Sequence, residues 1–329
     1  MKISMLTNLC LLAFLMIGCE QQIKLKEAKQ TAINPLSYTD VIYMGSVDTV
    51  LASTFDGRIS EIINHTDGEK VRVITRIDDE IYSLAYNREQ QQIYATTLHS
   101  GILVIDAQRG EVLSSLEVKN KWAPYLSYNE EHQILMTADY GNNIYVWKVS
   151  EGFNEMPVPD DLAGMSPKGF SGDMKLYFDG NRQMGIWNLY DNNQIEKVDA
   201  VGNITALDQK GLVLFLHGDQ FRLYDTASDS IVIQKRHPDW PIYVASRDTV
   251  FRAPVSLSLT AGAFAKNLVL TSGIDRSIRV WNKDTGEMID EFLGHRATVS
   301  AMDVSAGEDQ LVSVDLKGGI RFWNLDSNR

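Results

Sequence analysis

After residue 19 the chain contains no cysteine: its two, Cys10 and Cys19, both lie among the first twenty of 329 residues. The folded body therefore has no disulfide, no Cys-based zinc site and no thiol nucleophile. Histidine is also sparse. His65, His99, His132, His217, His237 and His295 show neither metal-ligand spacing nor a His-Glu-x-x-His run, so no metal is expected. Neither Gly-x-Ser-x-Gly nor Gly-x-x-x-x-Gly-Lys occurs, which excludes the usual nucleophile elbow and phosphate loop. The acidic turns Asp191-Asn192-Asn193 and Asp225-Thr226 lack the alternating oxygens and the glycine of a calcium loop. Positive charge is scarce, with 31 basic against 43 acidic residues, a net charge of −12 and a pI near 5.0. Such a surface repels phosphate backbones and argues against nucleic-acid binding. The apolar run 9–17 is also short, since a membrane-spanning helix needs roughly 20 residues.

That run has a different use. Lys2 precedes it and Gly18-Cys19 ends it, the layout of a secretory signal peptide over residues 1–18. Met16-Ile17-Gly18-Cys19 resembles the bacterial lipoprotein signal, with Met where leucine is usual. The resemblance implies that Cys19 is lipidated and becomes the new N-terminus, so that acyl chains anchor the chain without a spanning helix. An ordinary secretory signal is the alternative. Residues 20–26 are polar and tether-like, and Glu20 leans toward an outer-membrane address facing the periplasm.

The remainder of the chain is organised by repetition. An apolar strand, a turn and an alternating strand recur, most clearly at 268–287 and 311–328. The end of the alternating strand falls at Ile62, Ile105, Trp147, Trp187, Tyr224, Trp281 and Trp323. Those positions lie 43, 42, 40, 37, 57 and 42 residues apart. Each unit adds a further strand candidate, such as 71–77, 112–118 or 231–236, and opens with another, such as 81–86 or 204–207. Four strands per unit, short turns and no convincing helical pattern predict an all-β, seven-bladed propeller with four-stranded antiparallel blades over residues 38–329.

The chain resembles the WD40-repeat proteins, strongly in its last two units and weakly elsewhere. That family holds each blade with a hydrogen-bonded Trp, Ser/Thr, Asp and His. The resemblance assigns Thr271, Asp275 and Trp281 to this role in the sixth unit, which has no Gly-His before its first strand. In the seventh it assigns His295, Ser313 and Trp323, with Lys317 at the Asp position. On this reading neither tetrad is complete. The seventh unit also ends before its outermost strand, so residues 27–33 are expected to supply it and protect the open edge. The alternative is that they belong to the tether.

The gap of 57 locates an insertion at 238–254, whose segment 242–250 echoes 42–50. It is either a decorating hairpin or a remnant of a duplicated half-blade. In the WD40 arrangement, connections between blades lie on the face that most often binds partners. Trp240, Tyr243 and Arg247 are therefore candidates for partner binding, or Trp240 simply packs the insertion onto the ring. Trp122 and Tyr125, in the connection 119–128 beside Lys119 and Lys121, either face solvent or cover a blade edge. The connection 155–170, with three prolines, reads as irregular chain exposing Asp160 and Asp161.

Together these features predict a non-catalytic, monomeric, membrane-anchored protein-interaction scaffold of the bacterial cell envelope, without cofactor and with another envelope protein as partner. The alternative is a small-molecule or enzymatic site in the central funnel, assembled from several blades.

Overall fold

The computed structural model describes residues 37–65, 68–180, 182–190, 194–199 and 202–326. Strands dominate, and helical structure among the described residues is limited to single 3-10 turns at Val149–Glu151, Asp160–Leu162 and Ala245–Arg247. They form antiparallel sheets arranged as the blades of a seven-bladed propeller. From the hub outward, blade 1 runs Tyr38–Tyr43, Thr49–Thr54, Arg58–His65 and Gly68–Arg76. Blades 2 to 6 repeat this order, with innermost strands at Ile81–Asn87, Tyr125–Asn129, Ser166–Phe170, Asn203–Leu207 and Leu259–Ala265. Blade 7 has three strands among the described residues: Val299–Val304, Gln310–Asp315 and Ile320–Asn324. The outer edge of Ile320–Asn324 has no neighbour there, and the expected closing strand at 27–33 lies outside the described residues.

Burial follows position in the blade. The second strands Leu268–Gly273 and Ile134–Ala138 are buried throughout, because neighbouring blades cover both of their faces. Such strands read as continuous apolar runs instead of alternating ones. The outermost strand Val112–Leu116 is almost wholly exposed. Seven hydrophobic clusters follow, each straddling one junction between adjacent blades. The seventh packs Val41, Val50, Ala52 and Ile62 of blade 1 against Val312 and Val314 of blade 7, and so closes the ring. Six of the seven strand-ending positions are buried. The exception is Trp323, in the third strand of blade 7, where it stacks on Phe292 with ring centroids 4.9 Å apart.

Polar contacts between the inner strands of neighbouring blades add direction to this packing. Asp40 of blade 1 accepts the Leu84 N–H at 2.8 Å and the Ser83 hydroxyl at 3.0 Å from blade 2. Asp303 of blade 7 accepts the Tyr43 N–H at 2.7 Å, and Asp179 of blade 4 accepts the Ile204 N–H of blade 5 at 3.0 Å. At the seam, the Ser300 hydroxyl donates to the Tyr38 carbonyl at 2.8 Å, and that of Ser37 donates to the Leu316 carbonyl.

The connection 155–170 is more ordered than its prolines suggest. Asp160 and Asp161 are exposed, but Leu162 is buried and 166–170 is the innermost strand of blade 4. Pro167 is tolerated because that strand is a sheet edge facing the channel. The insertion is a separate two-stranded sheet, Trp240–Val244 paired with Thr249–Ala253, so it is a decorating hairpin and not part of a blade.

Candidate partner-binding face

One face of the ring carries every connection from an outermost strand to the next innermost strand, together with every turn between second and third strands. Trp122 and the insertion both lie on it, at the blade 2–3 and blade 5–6 junctions, and therefore far apart around the ring.

Two His, Ser/Thr, Trp and Asp groups support this face, a complete hydrogen-bonded tetrad in blade 7 and one bridged by an arginine in blade 6. In blade 7, His295 Nε2 meets Ser313 Oγ at 2.7 Å, its Nδ1 meets Asp315 Oδ2 at 3.0 Å, and the Trp323 indole N–H donates to Ser313 at 2.8 Å. The acid is Asp315, not the residue at position 317. It sits two residues after Ser313 on the same side of the strand, and its second oxygen accepts the N–H groups of Lys317 and Gly319. In blade 6 the missing imidazole is His237, which precedes the inserted hairpin. Its Nε2 meets Thr271 Oγ1 at 2.6 Å, and Thr271 also accepts the Trp281 indole N–H at 2.8 Å. The fully buried Arg279 joins this group, contacting His237 Nδ1, Asp275 Oδ2 at 2.5 Å and Glu291 Oε1 at 3.1 Å. Arg252 of the hairpin reaches Glu291 at 2.6 Å. Burial holds both histidines below their ordinary value, against the pull of Asp275 and Asp315 respectively, so both imidazoles are neutral near neutral pH. Despite its own burial, Asp275 is pushed down to about 2 by His237, whose Nδ1 lies 3.8 Å away, and by Arg279.

The hub encloses a channel whose two halves have volumes of about 500 and 650 Å³. Asp40 and Asp303 line it from blades 1 and 7, and Lys168 from blade 4. Burial pushes Asp40 up to about 6, with the Asp303 charge adding to the effect, and burial likewise raises Asp303 to about 6. Burial lowers Lys168, whose ammonium lies 4.1 Å from the centre of the Tyr125 ring. Tyr125 therefore lines the channel mouth, exposed, and is not a neighbour of Trp122. The channel carboxylates accept strand N–H groups and act as staples between blades. No set of metal-ligating side chains occurs among the described residues.

Trp122 is the third ring in a ladder across blades 1 to 3. Phe55 lies 5.8 Å from Tyr82, Tyr82 5.4 Å from Trp122, and Trp122 5.1 Å from Tyr140, on which it stacks at 20°. Unlike the indoles of Trp281 and Trp323, its N–H has no acceptor. Asp139 sets the connection by accepting the Asn120 N–H at 3.0 Å and its side-chain amide at 3.1 Å, and the Tyr140 N–H bonds the Trp122 carbonyl at 2.8 Å. Across the ring, Trp240 starts the hairpin half-buried beside His237 and Asp275, while Arg247 is exposed near its tip. The backbone of Tyr243 pairs with Val250.

Comparison with known proteins bears on the fold. The WD domain, G-beta repeat family matches residues 286–324, which contain His295, Ser313, Asp315 and Trp323. The solved WD40 beta propeller domain of Doa1 superposes with a TM-score of 0.67 at 14% identity, over 88% of this chain and 94% of that one. The fold is a WD40 β-propeller. Similarity in sequence to curated proteins is local. Telomerase protein component 1 of Mus musculus is 34% identical over 67 residues, 20% of this chain and 2% of that protein. WD repeat domain-containing protein 83 of Rattus norvegicus is 31% identical over 75 residues, 22% of this chain and 24% of that protein. The aligned stretches thus span only a small part of these relatives.

Proposed function

We propose that the propeller is a non-catalytic scaffold that binds another protein through the connection-bearing face. The observation that carries this reading is the large departure from the repeat at 238–254, on that face. A hairpin projects there with Phe251 56% exposed and Arg247 near its tip, and Tyr140 stands 72% exposed on the far side of the ring. Large apolar and arginine side chains of this kind are the usual anchors of protein interfaces. The stapled ring beneath them fixes their spacing, so little order has to be acquired on binding.

We further propose the lipid anchor at Cys19 and a place in the bacterial envelope, on the pattern of residues 1–19; these lie outside the described residues. Confinement to a membrane raises the effective concentration for an envelope partner. A ligand site in the channel is the second reading, favoured by the convergence of Asp40, Asp303 and Lys168. It is the weaker one, because the two carboxylates already hold strand N–H groups.

Photo-crosslinkers placed at Lys121 and Arg247, and at Arg109 on the opposite face, test the scaffold reading in intact cells. Adducts to one protein from the first two positions and none from Arg109 are expected. Adducts from Arg109 alone would overturn it. Labelling of the envelope fraction with a fatty-acid probe, lost in Cys19→Ser, checks the anchor.

A further inference from the structure

The first ring of the aromatic ladder, Phe55, lines a groove, and the second, Tyr82, is bonded to its Glu80. Phe55 and Asp56 of the blade 1 turn form one wall, the connection 77–80 forms the floor, and Leu98 and His99 of the blade 2 turn form the other wall. Its volume of about 590 Å³ suits one long side chain and the backbone that carries it. The two blades close upon each other through Gly57. Its φ is +78°, and a β-carbon there would lie 2.0 Å from the Ile77 carbonyl oxygen, so only glycine lets the turn meet the connection.

Acidic groups predominate in the groove, although Arg76 also lines it. Asp56 is balanced by Arg58 at 3.0 Å and Arg76 at 3.3 Å. Asp78, Asp79 and Glu80 form no ion pair among the described residues. Asp79 accepts the N–H groups of His99 and Ser100 and the Ser100 hydroxyl, while Glu80 accepts the Tyr82 hydroxyl at 2.6 Å. Asp78 is exposed. The Tyr82 hydroxyl thus ties the carboxylate side of the groove to the aromatic side. A ring face next to uncompensated carboxylates suits a cation on an apolar stem, since the stem lies on the ring while ring quadrupole and carboxylate both attract the head.

We infer that this groove takes an extended segment of the partner protein, inserting a lysine or arginine over Phe55 and Tyr82 with its charged end at Asp78, Asp79 and Glu80. The Trp122–Tyr140 stack continues the platform for the residues that follow. The inference rests on the scaffold reading and specifies one contact of it.

Fluorescein-labelled decapeptides of one Ser/Gly/Val host, carrying at their centre two arginines, two lysines, two glutamates or two norleucines, serve as probes against the purified full chain. Anisotropy is expected to show the arginine and lysine peptides binding at least tenfold more tightly than the other two, and weakening with salt. Asp78→Asn with Glu80→Gln should reduce that binding at least fivefold at unchanged thermal stability, because Asp78 is a solvent-facing group. Tyr82→Ala should abolish it, and Arg109→Ala on the opposite face should leave it unchanged. Equal binding of all four peptides, no binding up to millimolar concentration, or indifference to the double carboxylate change each overturns the groove assignment. If crosslinks from Lys121 and Arg247 persist in that event, the groove is refuted and the scaffold is not.

Discussion

Blades 6 and 7 assemble equivalent cores from differently arranged chain. In blade 7, His295 lies in the short connection leading to Val299–Val304 and reaches straight into the sheet. In blade 6 a whole hairpin separates His237 from Leu259–Ala265, yet the imidazole occupies the equivalent place on Thr271. The tetrad is thus a property of space and not of spacing. A connection can absorb an insertion without disturbing the blade if the histidine stays anchored before it. The two cores also differ in charge. Blade 7 pairs a neutral imidazole with one carboxylate, whereas blade 6 buries Arg279 between two.

That difference sets the largest expected effect. Asp275→Ala leaves the Arg279 guanidinium buried with one partner fewer and should cost about 3–5 kcal/mol. Asp315→Ala, which removes an acceptor from a neutral ring and from backbone N–H groups, should cost about 1–3 kcal/mol. Urea unfolding of both variants measures the contrast, and equal losses would remove it.

Acid response separates the blades next. Because burial lowers His237 and His295, the unfolded chain binds protons more readily there, so their contribution is present above the ordinary histidine value of 6.5 and is lost as pH falls. Asp303, in blade 7 alone of the two, acts oppositely. Raised to about 6 from 3.8, it favours the fold below 3.8 and loses that contribution as pH rises through about 6. Asp303→Asn keeps an acceptor for the Tyr43 N–H and should stabilise the protein by about 1–2 kcal/mol at pH 7.5, a gain absent at pH 4. Unfolding curves at the two values test the sign.

The smallest change is expected on excising 242–252 and joining the ends with two glycines. The ion pair lost with it has a half-exposed guanidinium, Arg252 to Glu291, so stability should fall by less than about 1 kcal/mol. A larger loss in urea unfolding would make the hairpin an integral part of blade 6.

The sequence made the ring legible because burial on both faces of the inner strands forces apolar runs, and because the strand-ending position recurs from Ile62 to Trp323. Partners that meet across chain distance were hidden. His237 was masked by the insertion and Asp315 by a reorganised turn. Phe55 and Tyr82 were missed because each is one aromatic residue with no period of its own; only the packing of blades 1 to 3 sets Phe55 against Tyr82 and Tyr82 against Trp122. Tyr125, three residues from Trp122 in sequence, points elsewhere because the strand that starts with it turns into the channel.

The seam between first and last blades also has a mechanical consequence. The chain passes through Ser37 directly into the innermost strand of blade 1, where Ser37 and Tyr38 are bonded to blade 7. If residues before this point are fastened to a surface, any pull on the bound cargo travels to the axle of the wheel and not to its rim. The load then falls on the junction that holds the circle shut, so resistance to tension would be governed by that one joint.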